Sequence, residues 1–298
     1  MPSAKPDEDN QLALFSAPVK LFSCTPSRIT TYEDCPRRYR YAYLDRPAPP
    51  RGPAWAHNSL GASVHNALKR WYDLPTTQRT AEVVPRLLTG AWVTDGYRDA
   101  AQIKAVYRTA VAWLERYVAE LPEGDPVGVE RTVAAKTETL ALSGRVDRLD
   151  ARDGELVIVD YKTGRTGLDA DDARGSRALA LYAYAAERMF HKPCRKVELH
   201  HLPTGTVAAH EHTVESLARH VARAEATVAD IQADREFAMR PSALCSFCDF
   251  RTSCPAGREA PKRDPWTAVE GYTVPGPREP EQAPSDDSAG VSGPGQTT

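Results

Sequence analysis

The chain has 298 residues, of which 41% are apolar, and a formal net charge of −2, so it can form one large or two small domains with a proper core. No apolar run reaches the roughly 18 residues of a membrane-spanning helix, and the polar N-terminus lacks the basic and apolar regions of a signal peptide. We therefore expect a cytoplasmic protein without membrane partners.

The net charge hides an uneven distribution along the chain. Residues 264–298 carry six acidic residues and one arginine, so the rest of the chain is mildly basic and a local basic face for nucleic acid remains open. From about residue 262 the composition is rich in Pro, Gly, Ser and acidic residues and cannot support a core. We expect residues 1–20 and 262–298 to be disordered.

The first half of the chain is predicted to be mostly helical. Thr25 or Ser27 can cap a first helix, and Pro36 should kink or restart it. This gives a helical part over residues 25–120, in which further helices are predicted at residues 60–72, 80–94 and 99–119.

Near Val127 the pattern changes to the alternation that is typical of strands. We expect an α/β core over residues 127–235, followed by a cysteine-containing loop at 241–257. The core elements are predicted as a strand at 129–142, a hairpin at 141–162, a loop at 169–175, a helix at 176–189, strands at 197–202 and 207–211, and a helix at 214–231.

An Asp-Gly pair at positions 153 and 154 predicts a tight β-hairpin. Alternating apolar residues flank the pair, and a type I′ turn needs positive φ at both central residues. A two-residue turn places Arg152 opposite Glu155, and the same register places Asp147 opposite Asp160. Facing Cβ atoms in such a pair are roughly 5 Å apart, so two like charges are brought into repulsion.

Lys162 shares the strand face of Asp160, two residues further along. Asp160 also ends the Leu-Val-Ile-Val run at 156–159, which is typical of a strand buried on both faces, and a charge at such a place is usually paired or part of a site. A divalent cation resolves the repulsion, because Mg²⁺ takes carboxylate oxygens and a nearby lysine can orient or deprotonate a water. The simpler alternative is a solvated hairpin with ordinary surface charges.

Three other features are ambiguous by themselves. His65 lies in a helix after small residues, where a lone histidine is more often structural than a metal ligand. Tyr182 fits core packing of an aromatic ring. The arginines and tyrosines between residues 37 and 46 fit a face that grips a phosphate backbone as well as a solvated helix with snorkelling arginines.

Four cysteines form a pattern that is typical of metal binding. Cys245-x2-Cys248-x5-Cys254 supplies three thiolates, and Cys35 is the best candidate for the fourth, although Cys24 competes. One distant cysteine and three clustered ones suit a [4Fe–4S] cluster; a structural zinc is the alternative. Either metal would tie the N-terminal helix to the C-terminal loop.

Together, these motifs resemble the RecB-type PD-(D/E)xK nucleases, in the branch that carries an iron–sulfur cluster and includes the CRISPR-associated iron–sulfur exonuclease. The resemblance covers about residues 22–257 and is specific as a combination. The matching segments are Ser27-x4-Tyr32-x2-Cys35-Pro36, Gly61-x3-His65, Gly144-Arg145-Val146-Asp147-Arg148, Val159-Asp160-Tyr161-Lys162-Thr163-Gly164, Tyr182 and the three C-terminal cysteines.

The resemblance implies an α/β fold with a restriction-endonuclease-like core, which is a mixed sheet flanked by helices. It implies one nuclease domain over residues 21–257, with an N-terminal helical segment and an Fe–S cysteine loop at 241–257 that closes onto Cys35. The implied activity is that of a Mg²⁺- or Mn²⁺-dependent DNase, exonucleolytic on single-stranded ends, in DNA repair. The implied partners are DNA and a helicase or repair complex.

The resemblance also assigns roles to residues. The cation is implied to bind His65, Asp147, Asp160 and the carbonyl of Tyr161, while Lys162 positions or activates the attacking water. Two further assignments concern the following helix and the cluster: Tyr182 lines the site, and the [4Fe–4S] ligands are Cys35, Cys245, Cys248 and Cys254.

One position departs from the family pattern. The family helix often carries a glutamine four residues before the tyrosine, where this chain has Ala178. A residue at that spacing shares the helix face of Tyr182, so a contact to substrate or to an active-site water is missing. This leaves a second function open, that of a non-catalytic iron–sulfur DNA-binding or scaffold subunit of a repair complex.

Overall fold

A computed structural model of the chain describes residues 21–122 and 124–272; the predicted disorder of residues 1–20 and 273–298 lies outside the described residues. Helices flank one β-sheet in the described part. The helices are α1 (Pro26–Asp34), α2 (Pro36–Tyr43), α3 (Ala56–Tyr72), α4 (Val84–Ala91), α5 (Ala100–Ala119), α6 (Ala170–Gly175), α7 (Arg177–Phe190), α8 (Val214–Ala233) and α9 (Pro255–Glu259). The strands are β1 (Phe22–Cys24), β2 (Gly128–Lys136), β3 (Leu140–Arg152), β4 (Glu155–Lys162), β5 (Lys196–His201) and β6 (Thr206–Glu211).

The sheet has the strand order β1-β3-β4-β5-β6, and β2 also pairs with β3. The β1–β3 and β4–β5 pairs are parallel, whereas the β2–β3, β3–β4 and β5–β6 pairs are antiparallel. The sheet is therefore mixed and flanked by helices, which confirms the predicted fold class. None of the helices in the described part has both the length and the apolar character needed to span a bilayer.

Strand β4 is buried on both faces, as its apolar run predicts. Leu156 and Ile158 belong to the apolar core that contains residues of α1, α7 and α8, whereas Val157 and Val159 belong to the core formed with α3, α4 and α5. Full burial of such a side chain contributes roughly 1.5–3 kcal/mol. These four side chains therefore anchor the strand that ends at Asp160 and Lys162.

Two predicted elements are wrong. The strand predicted at 129–142 is two strands, because the chain reverses between Lys136 and Leu140, where Thr137 N–H donates to the carbonyl of Leu140. The loop predicted at 169–175 is the short helix α6, which begins with a capping box between Asp169 and Asp172. A carboxylate at both capping positions satisfies free backbone N–H groups and starts a helix in an otherwise loop-like sequence.

The ordered part of the chain extends beyond the predicted start of the tail at residue 262. Residues Thr267–Val269 form a helical turn, and Val269 is buried in the core with α3 and α5. Tyr272 packs edge-on against Trp113 with ring centroids 5.0 Å apart, and its hydroxyl donates to the carbonyl of Thr163. Aromatic burial thus fixes this segment despite its polar composition.

Candidate active site

The hairpin has the predicted turn and register. Asp153 and Gly154 have φ values of 52° and 85°, and the β3–β4 ladder runs from Arg152–Glu155 to Arg148–Val159. Asp147 and Asp160 follow next in this register. The backbone N–H of Tyr161 donates to Asp147 Oδ2 at 2.8 Å, which fixes the Asp147 carboxylate against the end of β4.

The neighbouring β2–β3 ladder is interrupted at the same level. It pairs Val129 with Arg148 and Arg131 with Val146, and it skips Glu130 and Asp147 between them. Glu130 has a φ of 49°, an uncommon conformation for a residue other than glycine that is often found at functional sites. The pairs on both sides keep the same register, so Glu130 still lies opposite Asp147 and their side chains converge.

Three side chains meet at this interruption. One ligand atom each of His65, Glu130 and Asp147 lies within 4.8 Å of the others. His65 Nδ1 is 3.3 Å from Asp147 Oδ1, and its Nε2 is 3.1 Å from the carbonyl oxygen of Tyr161. Burial alone would lower the pKa of His65, but the hydrogen bond to Asp147 and the nearby carboxylates outweigh it and raise the pKa.

Asp160 and Lys162 form an ion pair beside these residues. Lys162 Nζ lies 2.6 Å from Asp160 Oδ2, and the Asp160 side chain is 22% exposed. Burial raises the pKa of the Asp160 carboxyl; Lys162 opposes the rise and the charge of Asp147 adds to it. We call the five residues His65, Glu130, Asp147, Asp160 and Lys162 the hairpin site.

The structure therefore modifies the predicted ligand set. In the described part of the chain, the tightest group of candidate ligands contains Glu130 with His65 and Asp147, whereas Asp160 is turned to Lys162. Glu130 is a candidate ligand that the sequence pattern did not indicate. Its position opposite Asp147 depends on the β2–β3 register, and the prediction of one continuous strand at 129–142 concealed that register.

Tyr182 of α7 packs over the hairpin and lines the same open cleft of ≈ 670 Å³ as His65, Glu130 and Asp147. A Cβ atom on Gly144 would lie 2.3 Å from the Tyr182 ring, so only glycine leaves room for the ring at this point of β3. Burial, together with the charges of Asp160 and Asp147, raises the pKa of Tyr182 to about 12. The hydroxyl is therefore protonated and can donate a hydrogen bond into the cleft.

The four predicted cluster cysteines line one cavity, which we call the cysteine cavity: Cys35, Cys245, Cys248 and Cys254. Cys35 lies between the end of α1 and the start of α2 at Pro36. This break between the two helices places Cys35 at the cysteine cavity. All four thiols are free. Among the described residues, no three of them approach one another within 4.8 Å.

Two other predictions about the N-terminal half can now be resolved. Cys24 is 2% exposed in the apolar core and does not line the cysteine cavity. The arginines of α2 have internal partners: Arg37 donates to the carbonyl of Phe237, and Arg40 pairs with Asp45. Tyr39 is fully buried, so this part of the segment joins the helices together.

Comparison with known proteins places these features in a family. The model of the PD-(D/E)XK nuclease superfamily matches residues 23–255. The chain belongs to this superfamily. It is also 24% identical over 274 residues to the Gene 69 protein of Mycobacterium phage D29, with 80% of this chain and 98% of the phage protein covered.

Similar solved structures include two proteins that are more distant in sequence. The crystal structure of SSO0001 has 13% identity and a TM-score of 0.39, with 84% of this chain and 92% of that chain covered. A protein from Eubacterium rectale that is described as a candidate exonuclease has 10% identity and a TM-score of 0.41, with coverage of 77% and 86%.

PD-(D/E)XK nucleases use divalent metals, and the residues of the hairpin site fit such an ion. The carboxylates of Glu130 and Asp147, the imidazole of His65 and the nearby carbonyl of Tyr161 form a donor set that suits hard or borderline divalent cations. Burial raises the pKa of Glu130, while Arg145 at 2.7 Å opposes the rise. A cation between Glu130 and Asp147 would remove the repulsion that otherwise opposes their approach.

Proposed function

We propose that this protein is a divalent-cation-dependent deoxyribonuclease that degrades DNA from single-stranded ends during repair. The observation that carries the proposal is the convergence of His65, Glu130 and Asp147 beside the Asp160–Lys162 pair, at an open cleft in a nuclease-superfamily fold. The preference for single-stranded ends and the role in repair rest on the sequence resemblance to RecB-type exonucleases.

Mg²⁺ or Mn²⁺ would be held by His65, Glu130 and Asp147, with Asp160 and the carbonyl of Tyr161 as further ligands. When bound, such a cation neutralises phosphate oxygens and lowers the pKa of a water ligand. The hydrogen bond from Tyr161 N–H holds the Asp147 carboxylate in place beforehand. The Asp147 carboxylate therefore needs little rearrangement when the site is loaded.

Lys162 is the proposed group that acts on water and on the phosphate. Its side chain is 46% exposed, so the ammonium is open to solvent beside the cation ligands while Asp160 holds it at 2.6 Å. In that position it can orient an attacking water and stabilise the negative charge that builds up on the phosphate oxygens. Tyr182, protonated and lining the cleft, is the proposed hydrogen-bond donor to the substrate backbone.

The cysteine cavity is proposed to hold a [4Fe–4S] cluster. All four thiols line the shared cavity, and one distant cysteine with three clustered ones suits a thiolate-bound [4Fe–4S] group. An anaerobic absorption spectrum tests this: a brown protein absorbing near ~400 nm is expected, and a colourless protein with one zinc per chain would exclude the cluster.

The nuclease proposal is tested with end-labelled linear single-stranded DNA and a circular form of the same sequence. We expect Mg²⁺ or Mn²⁺ to support degradation of the linear form only, and Asp160→Ala to abolish it. The exposed Glu82→Ala variant, in the helical turn before α4, is the control and should retain the parent rate. Asp160→Ala degrading DNA as fast as the parent would contradict the proposal, and DNA binding without turnover in the parent would favour the non-catalytic scaffold function.

A further inference from the structure

A second cleft lies away from the hairpin site, at the β6 edge of the sheet. It has a volume of ≈ 600 Å³, comparable to that of the catalytic cleft, and Glu211 is the one acidic residue in its described lining. We call it the arginine cleft after its basic residues, which are Arg174, Arg177, Arg219, Arg223, His210 and His220.

Two of its arginines make no ion pair among the described residues, and the exposed Glu215 lies one turn before Arg219 on α8. Arg177 pairs with Glu33, and Arg174 lies 3.1 Å from Asp171 in an exposed pair, which contributes little stability. Arg219 and Arg223 lie four residues apart on α8, so they project from the same helix face. Neither makes an ion pair with a carboxylate of the described residues, and both are exposed.

The surroundings of His220 show that the cleft has a positive potential. Burial lowers the pKa of His220, and Arg177, Arg219, Arg223 and His210 lower it further. Arg223 likewise contributes to the lowered pKa of Arg177, after burial. These cationic groups repel one another, and a bound anion would relieve the repulsion. Phosphate oxygens suit guanidinium groups particularly well, because they accept two parallel N–H bonds.

We propose that the arginine cleft binds the sugar–phosphate backbone of the DNA strand outside the catalytic cleft. Helix α7 connects the two places, since Arg177 at its start lines the arginine cleft and Tyr182 lines the catalytic cleft. Five helical residues correspond to about 7.5 Å along the axis and about 140° around it, so a strand that leaves Tyr182 passes around the start of α7 to reach Arg177. This inference rests on the proposed nuclease function.

The test measures the salt dependence of DNA binding in EDTA, where no cleavage occurs. Fluorescence anisotropy is recorded with labelled single strands of about 4 and about 20 nucleotides, because single-strand sites span roughly 4–16 nucleotides. The test protein is a double variant that carries both Arg219→Gln and Arg223→Gln, and the control protein carries Arg108→Gln. Arg108 is also exposed and lies in the middle of the long helix α5.

Loss of two phosphate contacts should reduce the slope of log K against log salt by about 1.4 for the long strand. Binding of the short strand, and the cleavage rate of that strand in Mg²⁺, should stay within about twofold of the parent. Thermal unfolding should be unchanged, because both arginines are exposed. The control should behave as the parent with both strands.

An unchanged slope for the long strand, or no DNA binding by the parent, would overturn the inference. Full displacement of the long strand by a mononucleotide would also overturn it, because the cleft would then be a site for a small phosphate ligand. These outcomes are separable from failure of the nuclease proposal. If the parent cleaves DNA and the double variant shows the same salt slope as the parent, only the DNA-binding role of the arginine cleft is refuted. If the salt slope of the double variant falls as expected but the parent never cleaves DNA, only the nuclease proposal is refuted.

Discussion

The hairpin site and the cysteine cavity collect their candidate ligands in different ways. At the hairpin site, His65, Glu130 and Asp147 come within 4.8 Å of each other, and hydrogen bonds within the protein already fix Asp147 and His65. In the cysteine cavity, Cys35 and the C-terminal cysteines line a common space, and no three of these sulfur atoms in the described part of the chain lie within 4.8 Å of one another.

This difference sets what each proposed metal would contribute. The hairpin site is held by strand register and by α3. The cysteine cavity joins segments that are far apart in the chain, and thiolates repel one another, so the proposed cluster would supply part of the folding free energy there. We therefore expect damage at the hairpin site to remove activity and damage in the cysteine cavity to remove stability.

The largest effect is expected for Asp147→Asn, which removes a charge from the hairpin site while keeping a hydrogen-bond acceptor for Tyr161. Cleavage of single-stranded DNA should fall by about 1,000-fold or more, since charge stabilisation and a cation ligand are lost together. Visible absorbance and the thermal midpoint should stay near the parent values. Asp153→Asn in the hairpin turn is the control, and comparable losses in both variants would refute the role of Asp147.

The converse experiment is Cys35→Ser, which removes the most distant ligand from the cysteine cavity. The colour of the protein should be lost, and the thermal midpoint should fall by on the order of 10 °C, as expected when a few kcal/mol are lost in a domain of this size. Cys194→Ser provides the control for colour, because Cys194 is buried outside the cavity. If Cys35→Ser kept the colour and the thermal midpoint of the parent, a metal group that binds Cys35 and stabilises the fold would be excluded.

A smaller effect is expected for Gly144→Ala, which acts on the hairpin site through packing. The added methyl group would meet the Tyr182 ring at 2.3 Å, so the ring must move out of the cleft. Misplacement of a substrate-contacting group by about 1 Å can cost 100-fold in rate, and we expect a loss of roughly 10- to 100-fold. The measurement is repeated in a Tyr182→Phe background. If Gly144→Ala acts by displacing the Tyr182 hydroxyl, it should slow the Tyr182→Phe protein less than it slows the parent. An equal loss in both backgrounds would contradict this explanation.

The smallest effect is expected for Tyr182→Phe, which removes one hydrogen-bond donor. Its pKa of about 12 means that the parent hydroxyl is protonated and donates throughout the range from about pH 7 to pH 9. The variant should therefore be about tenfold slower at every pH in this range, with the shape of the pH–rate profile unchanged. A difference that disappears at the upper end of the range would assign Tyr182 a titrating role.

The parts of this structure that follow from local sequence were predictable. The turn residues and apolar alternation specified the hairpin, and the run at 156–159 specified a doubly buried strand, because both depend on neighbours in the chain. Glu130 was not found, since its place opposite Asp147 depends on a strand pairing that the pattern does not encode. The packing of Val269 and Tyr272 similarly depends on helices that are distant in the chain. It contradicts the disorder that composition alone predicts from residue 262 onward.

The central claim is that the hairpin carries the chemistry, and Lys162→Ala tests it most directly. The measurement is the single-turnover rate constant for cleavage of end-labelled single-stranded DNA at saturating Mg²⁺, with the exposed Lys104→Ala variant of α5 as the control. We predict that Lys162→Ala lowers this rate constant by at least about 100-fold with DNA affinity within a few-fold of the parent. A Lys162→Ala variant that cleaves at the parent rate would contradict the account.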